Sequence, residues 1–156
     1  MYSLQDGKRV VQFSGRLLAT SSSKRTDSTR WIEFSLYRTD TGTFVLHRLG
    51  LSTTFHNSTC DLVQKYGLKE IPNYELKDNA TPCEDCFPEM SDPILYPEEE
   101  RSWMLTTKNP EAVLKALYRP DNRGGQYLTK VAERLLEDAS EEDSDIDAAY
   151  RVQYLI

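Results

Sequence analysis

The sequence predicts an α+β fold built from three consecutive parts. Apolar residues alternate in the first third, prolines and acidic residues fill the middle, and the last third repeats apolar residues at helical spacing. These patterns predict an N-terminal antiparallel β-meander over residues 1–56, an irregular middle segment over 56–100, and a mainly helical part over 101–156 that packs on the sheet. A length of 156 residues fits a single domain with a substantial hydrophobic core.

The meander is predicted from alternation with a period of two residues. KRVVQFSGRLLATSSS has apolar residues at alternate positions around Gly15, and an isolated glycine in a strand indicates a bulge or a close backbone approach. RWIEFSLYR alternates again, with Phe34 and Leu36 on one face and Trp31 and Tyr37 on the other. TDTG provides a hairpin turn, TFVLHRL returns as the partner strand, and LSTTFH predicts a short fourth strand.

The middle segment combines prolines with acidic residues. Cys60 to Tyr66, followed by Gly67, predicts a short helix with a glycine stop. Beyond this helix, repeated prolines predict mostly irregular backbone over residues 71–100. Because such a segment buries little apolar area to offset the entropy lost on ordering, we expect another interaction to hold it.

The last third contains the signals that begin and end helices. SWMLTT predicts a strand, and Asn109 followed by Pro110 is a favourable N-cap and first helical residue for PEAVLKALY. RPDNRGG breaks the chain, and QYLTKVAERLLEDA then predicts a second amphipathic helix. Asp145 to Tyr150 predicts a further turn, and RVQYLI a terminal strand. The predicted buried positions are Val113, Leu114, Leu117, Leu128, Val131, Ala132, Leu135 and Leu136.

All three cysteines and one histidine have the spacing of metal ligands. His56 and Cys60 are four residues apart at the start of a predicted helix, so they share a face. Cys83 and Cys86 form a Cys-x2-Cys turn within PCEDCFP, and such a turn lets two thiolates bind one ion at about 2.3 Å. One imidazole and three thiolates complete a closed tetrahedron of the kind that holds structural zinc. We therefore predict a structural Zn²⁺ site at His56, Cys60, Cys83 and Cys86.

Other interpretations of these residues stay open. A disulfide between Cys83 and Cys86 would leave Cys60 unpaired in a reducing compartment. A thioredoxin-type redox pair would normally open a helix, and the two acidic residues between the cysteines disfavour a thiolate. The cysteines could also be three unrelated buried residues. His47 is the alternative fourth ligand, although its place in TFVLHRL predicts a strand residue on the less buried face.

The same residues resemble the zinc-binding N-terminal element of Ada-type DNA methyl-phosphotriester repair proteins. The similarity consists of His56, Cys60 and PCEDCFP, and it covers about residues 55–88. That family has a reactive cysteine where this chain has His56, and an imidazole cannot replace a zinc-activated thiolate. Glu84 and Asp85 would also repel a phosphate backbone where the family tends to carry basic residues. The resemblance therefore implies a zinc ion without methyl-transfer chemistry.

The predicted strands carry excess positive charge. Residues 1–56 contain eight Lys/Arg and four Asp/Glu, a net charge of +4, on a chain whose net charge is −6. Aromatic residues beside cations on a sheet can stack and hold single-stranded nucleic acid. A solvated basic face, or aromatic residues packed under the C-terminal helices, accounts for the same pattern. The candidate nucleic-acid-binding residues are Lys24, Arg25, Arg30, Arg38 and Trp31.

The sequence predicts a binding function. It contains no Gly-x-x-x-x-Gly-Lys loop, Gly-x-Ser-x-Gly elbow or His-Glu-x-x-His motif. It also has no apolar run of membrane-spanning length, and its start lacks the apolar core of a secretory signal, so we predict a cytoplasmic protein without a membrane partner. We predict a non-catalytic, zinc-stabilised adaptor or regulatory component that recognises another protein. Nucleic-acid binding through the basic strands is the first alternative, and a zinc-dependent enzyme is the second.

Overall fold

The computed structural model confirms the α+β class, with antiparallel strands and C-terminal helices that pack against the sheet. It describes the backbone of residues 1–25, 30–57, 61, 81–82 and 93–152, and the side chains of these residues except 53–57, 81–82 and 93–100. The chain divides into two compact units. Unit 1 comprises Met1–Ser23, Glu33–Leu49 and Ser102–Ile156, and unit 2 comprises Lys24–Ile32 and Gly50–Arg101.

Two hairpins and one larger sheet contain the strands of the described residues. In chain order these are β1 (Tyr2–Asp6), β2 (Arg9–Phe13), β3 (Gly15–Ser22), β4 (Arg30–Thr39), β5 (Phe44–Asn57), β6 (Thr81–Pro82), β7 (Pro93–Thr107), β8 (Arg119–Pro120) and β9 (Gln126–Tyr127). β1 pairs with β2, and β8 pairs with β9. In the larger sheet β3, β4, β5 and β6 are neighbours in that order, and β7 pairs with β5. The helices are α1 (Pro110–Leu117), α2 (Lys130–Glu142) and α3 (Ser144–Arg151).

The first predicted strand is divided in two at Ser14. β2 forms a hairpin with the unpredicted strand β1, and β3 begins at Gly15 and pairs antiparallel with β4. A Cβ on Gly15 would lie 2.7 Å from the Cα of Thr39 and closer still to the carbonyl oxygen of Arg38. Gly15 therefore marks a close backbone approach, which is one of the two features that its isolated position predicts.

Residues 93–100 are a strand within the range 71–100, where mostly irregular backbone is predicted. They form the first part of β7, which continues through the predicted strand SWMLTT and pairs with β5. Pro93 is the first residue of β7, a position at which a strand tolerates proline. The predicted third and fourth strands are likewise one strand, β5, because the single glycine at Gly50 weakens a strand without ending it. Pairing with a neighbouring strand overrides these local signals.

The signals for the two predicted helices of the last third are confirmed. The Oδ1 of Asn109 accepts a hydrogen bond from the backbone N–H of Glu111 at 2.9 Å and caps α1. Thr129 caps α2, which places the predicted core residue Leu128 before the helix, where it is half-buried. The predicted turn at 145–150 is the helix α3. The predicted helix over 60–66 and all of RVQYLI beyond residue 152 lie outside the described residues. The buried helix side chains are Val113, Leu114, Leu117, Val131, Ala132, Leu135, Leu136, Ala139 and Ile146.

One face of the sheet in unit 1 is covered by the helices. α2 packs on β3, and α3 packs on both α1 and α2. Ala19 of β3 lies opposite Leu36 of β4, and both side chains are buried on this face. Phe34 is buried at the alternate position of β4, as the period of two predicts. Within the described residues, no helix combines the length and apolarity that a membrane span requires.

The other face of the sheet in unit 1 is covered by the β1–β2 hairpin. The ring of Tyr37 on β4 lies 4.7 Å from the ring of Tyr2 and 5.3 Å from that of Phe13, measured between centroids. Tyr2 and Phe13 are themselves opposite each other in the hairpin. Burial is the largest reason that the pKa of Tyr37 is raised above its ordinary value. Tyr37 is thus a structural contact between the sheet and the hairpin.

His47 also ties this hairpin to the sheet. Its Nε2 donates a hydrogen bond to the carbonyl oxygen of Gln5 at 2.7 Å, and the side chain is 5% exposed. The prediction that His47 lies on the less buried face is therefore wrong, because the unpredicted strand β1 covers that face. A second link joins the backbone N–H of Gly7 to the Oγ of Ser102 at 2.8 Å.

Candidate functional site

The predicted zinc ligands lie largely outside the described residues. Cys60, Cys83 and Cys86 are not among them, and His56 is described by its backbone alone, near the end of β5. Among the side chains that the structure does describe, no group of three or more His, Cys, Asp or Glu could hold a metal ion. The zinc site therefore stays a prediction.

Four of the five predicted nucleic-acid-binding residues lie in unit 2. Lys24, Arg25 and Arg30 are exposed, whereas Trp31 is 6% exposed. The Nζ of Lys24 lies 4.9 Å from the centroid of the Trp31 ring, a cation–π distance. Trp31 therefore presents little ring surface on which a base could stack. The fifth residue, Arg38, belongs to unit 1.

Arg38 belongs to an ion-pair cluster between the sheet and the helices. Its Nη1 donates to the Oδ2 of Asp143 at 2.7 Å, and its Nη2 lies 2.8 Å from the Oδ2 of Asp145. Arg16, which is directly opposite Arg38 in the β3–β4 pair, reaches the same Oδ2 of Asp143 at 3.5 Å. The guanidinium of Arg38 also lies 4.5 Å from the centroid of the Phe44 ring. A carboxylate thus compensates two cations that would repel each other on adjacent strands.

Asp143 is the centre of this cluster and the junction of two helices. It ends α2 and caps α3, where its Oδ1 accepts hydrogen bonds from the backbone N–H groups of Asp145 and Ile146, each at 3.0 Å. The residue is only 3% exposed. Burial by itself raises the pKa of Asp143, but the hydrogen bonds from Ile146 and Arg38 favour the charged form more, and the pKa is lowered overall. Asp143 therefore orients the helices on the sheet as a buried, fully bonded carboxylate.

The β8–β9 hairpin is an exposed element between α1 and α2. Arg119 pairs with Tyr127, and Pro120 pairs with Gln126. Each residue from Tyr118 to Tyr127 is exposed, and Tyr118 and Tyr127 are 38% and 49% exposed. The hairpin is anchored on both sides, because the last turn of α1 and the first turn of α2 are buried in the core of unit 1.

The turn of this hairpin is held by a single carboxylate. The Oδ1 of Asp121 accepts hydrogen bonds from the backbone N–H groups of Arg123 and Gly125, each at 2.8 Å, and the Asp121 N–H donates to the Gly125 carbonyl at 2.9 Å. Gly124 has a φ of +80°, which favours glycine. A Cβ on Gly125 would lie 2.7 Å from the Oδ2 of Asp121. The sequence RPDNRGG, predicted only as a break, therefore encodes a defined turn.

The hairpin also carries unpaired positive charge. Within the part of the chain that the structure describes, the guanidinium groups of Arg119 and Arg123 make no ion pair or hydrogen bond, whereas Arg9, Arg134 and Arg151 each have a partner. Residues 112–132 contain four Lys/Arg and one Asp, a net charge of +3 on a chain of −6. Sequence reasoning missed this site, although the local excess of basic residues around a glycine turn was a usable signal.

Exposed acidic residues lie on α2, the helix that follows the hairpin in the chain. Burial raises the pKa of Tyr150 on α3, and the nearby carboxylates of Glu137 and Glu133 and the phenol of Tyr118 raise it further. Glu133 and Glu137 are exposed residues of α2. The positive charge of the hairpin is thus followed in the chain by the negative charge of α2.

These features define an α+β protein whose sheet carries helices on one face and a β-hairpin on the other, with a second hairpin exposed. No protein-family model, curated protein or solved structure matches the chain. The resemblance of about residues 55–88 to the Ada-type zinc element therefore stays a prediction.

Proposed function

We propose that this chain is a non-catalytic, zinc-stabilised binding module, an adaptor or regulatory component that recognises another protein. The observation that carries the proposal is the β8–β9 hairpin, which exposes Tyr118 and Tyr127 beside the unpaired Arg119 and Arg123 of the described structure. Tyrosine and arginine are among the residue types enriched at the energetically dominant positions of protein–protein interfaces.

The local geometry of the hairpin supports a recognition role. Asp121 fixes the turn, and α1 and α2 fix both ends of the hairpin in the core of unit 1. A preorganised element loses less conformational entropy when it binds, so more of its contact energy appears as affinity. The rest of unit 1 then acts as the scaffold, with Arg38 and Asp143 orienting the helices on the sheet.

Zinc is the second part of the proposal. His56, Cys60, Cys83 and Cys86 would hold the ion, which would fix the segment between them in one conformation. The parallel pairing of β5 with β6 supports it, because Phe55 lies opposite Pro82. The residues that directly precede His56 and Cys83 are therefore neighbours on adjacent strands. Two ligands of one ion would have to lie close together in the same way.

Site-specific photo-cross-linking tests the recognition role. A photo-reactive amino acid replaces Tyr127 of the full chain in the cells from which the protein comes, and the same amino acid replaces Gln12, an exposed residue of the β1–β2 hairpin, as the control. We expect a discrete protein adduct at position 127 that is absent at position 12 and disappears when Arg119→Glu is added. Equal cross-linking at both positions, or an adduct that survives Arg119→Glu, would contradict the proposal.

A further inference from the structure

We infer that the partner presents a short acidic peptide segment, whose carboxylates bind Arg119 and Arg123 of the β8–β9 hairpin. The inference rests on the proposed function and adds the chemistry of the partner. Its basis is charge complementarity, because these two guanidinium groups have no counter-ion within the described residues. Guanidinium and carboxylate match in charge and in planar, two-pronged hydrogen-bond geometry.

The placement of Tyr127 suits a carboxylate beside Arg119. Residues directly opposite each other in an antiparallel pair share a face, with Cβ atoms about 5 Å apart. Arg119 and Tyr127 are such a pair. A carboxylate bound by Arg119 therefore lies within reach of the phenol of Tyr127, which can donate one more hydrogen bond.

The acid of the hairpin does not compete for these arginines. Asp121 directs its Oδ1 to the backbone N–H groups of Arg123 and Gly125, and its Oδ2 lies against Gly125. Its carboxylate therefore stabilises the turn and leaves both guanidinium groups to an outside anion. This separation explains how one carboxylate can lie between two arginines without pairing with either.

The surrounding charge favours a short acidic segment over a nucleic acid. α2 follows the hairpin directly in the chain, and its exposed carboxylates begin at Glu133 and include Glu137. A nucleic-acid backbone carries a negative charge at every nucleotide, so a strand that extends beyond the hairpin would meet these carboxylates. A peptide with a few acidic residues can bind the arginines and end before it reaches them.

Selection from a library of random peptides displayed on phage tests both the partner chemistry and the hairpin. The full chain is the bait, and the Arg119→Glu/Arg123→Glu chain is the matched counter-bait. We expect the peptides that bind only the first chain to be enriched in Asp and Glu. Peptides that depend on the hairpin but are not acidic would overturn this inference and leave the proposed function standing. Selection of no hairpin-dependent peptide would overturn both.

Fluorescence anisotropy with a labelled peptide of alternating Glu and Ser, against a Gln and Ser peptide, measures the effect of single residues. We expect Arg119→Glu and Arg123→Glu each to weaken binding of the Glu peptide about tenfold or more, the size of one lost charge-assisted contact. Lys8→Glu, which makes the same charge change at an exposed residue of the other hairpin, should change it less than about twofold. Equal losses in all three variants would show only a general charge effect and overturn the inference.

Two substitutions at Asp121 separate the shape of the turn from its charge. Asp121→Asn keeps an oxygen that accepts both backbone hydrogen bonds, so binding of the Glu peptide should be unchanged or tighter. Asp121→Ala removes that acceptor, and binding should weaken although a negative charge has also been lost. Tighter binding by Asp121→Ala would contradict the role of the preorganised turn. If oligothymidylate binds more tightly than the Glu peptide and depends on Arg119 in the same way, the partner is a nucleic acid and the inference of an acidic peptide is wrong.

Discussion

Replacement of Asp143 tests how the helices are held on the sheet. Asp143→Asn keeps the oxygen that accepts from the backbone N–H groups of Asp145 and Ile146, but it removes the charge that faces Arg38. Because Asn and Asp are similar N-caps, the loss is mainly that of a charge-assisted hydrogen bond, about 1–2 kcal/mol of the free energy of unfolding. Asp143→Ala also removes the cap, which adds about 1 kcal/mol to that loss.

The exposure of each partner sets the size of these losses. Asp143 is 3% exposed, so its charge is weakly screened, but the Arg38 side chain is 26% exposed and retains Asp145 in both variants. The full cost of an isolated buried charge, about 3–5 kcal/mol, is therefore not expected. Asp145→Asn is the matched control. The Asp145 side chain is 55% exposed, and its loss should cost less than about 1 kcal/mol.

The pH dependence separates the charge of Asp143 from its packing. The pKa of Asp143 in the folded protein is lowered from an ordinary value of 3.8, so its charge contributes stability above that value. The contribution is lost as the pH falls below 3.8 and through the lowered pKa. The Asp143→Asn protein lacks this titration. The difference in free energy of unfolding between the wild-type protein and this variant should therefore become smaller in acid.

Urea denaturation followed by circular dichroism, at neutral pH and below pH 3.8, measures this gap. We expect the wild-type protein to be the more stable at neutral pH, and the two proteins to converge in acid. The same midpoint for both at neutral pH, or a gap that is unchanged in acid, would refute the argument that the charge of Asp143 stabilises the fold.

Two further predictions concern the backbone and the metal. Gly15→Ala should destabilise the protein by about 2 kcal/mol or more, because its Cβ would meet the backbone of β4. Gly50→Ala should be neutral or stabilising, since a Cβ there would be in ordinary contact with the carbonyl oxygen of Arg101 at 3.7 Å. Equal losses of stability in the two variants would contradict the close backbone approach at Gly15. We also expect about one zinc per chain by elemental analysis, with a melting temperature that falls on chelation or in Cys83→Ser. A purified protein that contains no metal, and whose melting temperature does not change on chelation, would contradict the zinc site.

The local signals of the sequence located the helices. Asn109, the predicted cap of α1, accepts a hydrogen bond from a group only two residues away, and the buried stripes of α1 and α2 follow from the spacing of apolar residues in one short window. Interactions of such short range depend on residues that are close together in the sequence, so sequence patterns are sufficient to predict them. Gly15 differs, because its isolated position in a strand indicated a backbone constraint, while the contact that imposes it comes from distant residues of β4.

The candidate site combines a turn that depends on neighbouring residues with charges whose partners do not. The turn chemistry of Asp121, Gly124 and Gly125 is local and could have been predicted as a hairpin. Neighbouring residues do not predict whether Arg119 and Arg123 have partners, because a counter-ion can come from any part of the chain. Arg38 illustrates the difference, since it resembles a nucleic-acid ligand in the sequence yet pairs with Asp143, 105 residues away.

The sequence alone determined the α+β class, α1 with its Asn109 cap, the buried stripes of α1 and α2, and the candidate metal ligands. Tertiary structure alone decided that the first strand divides at Ser14, that residues 93–100 pair with β5, and that β1 buries His47. It also decided which cations are neutralised inside unit 1 and which remain on an exposed hairpin. The physical reason is range, because strand pairing and ion pairing depend on which distant residues meet, and a local pattern does not contain that information.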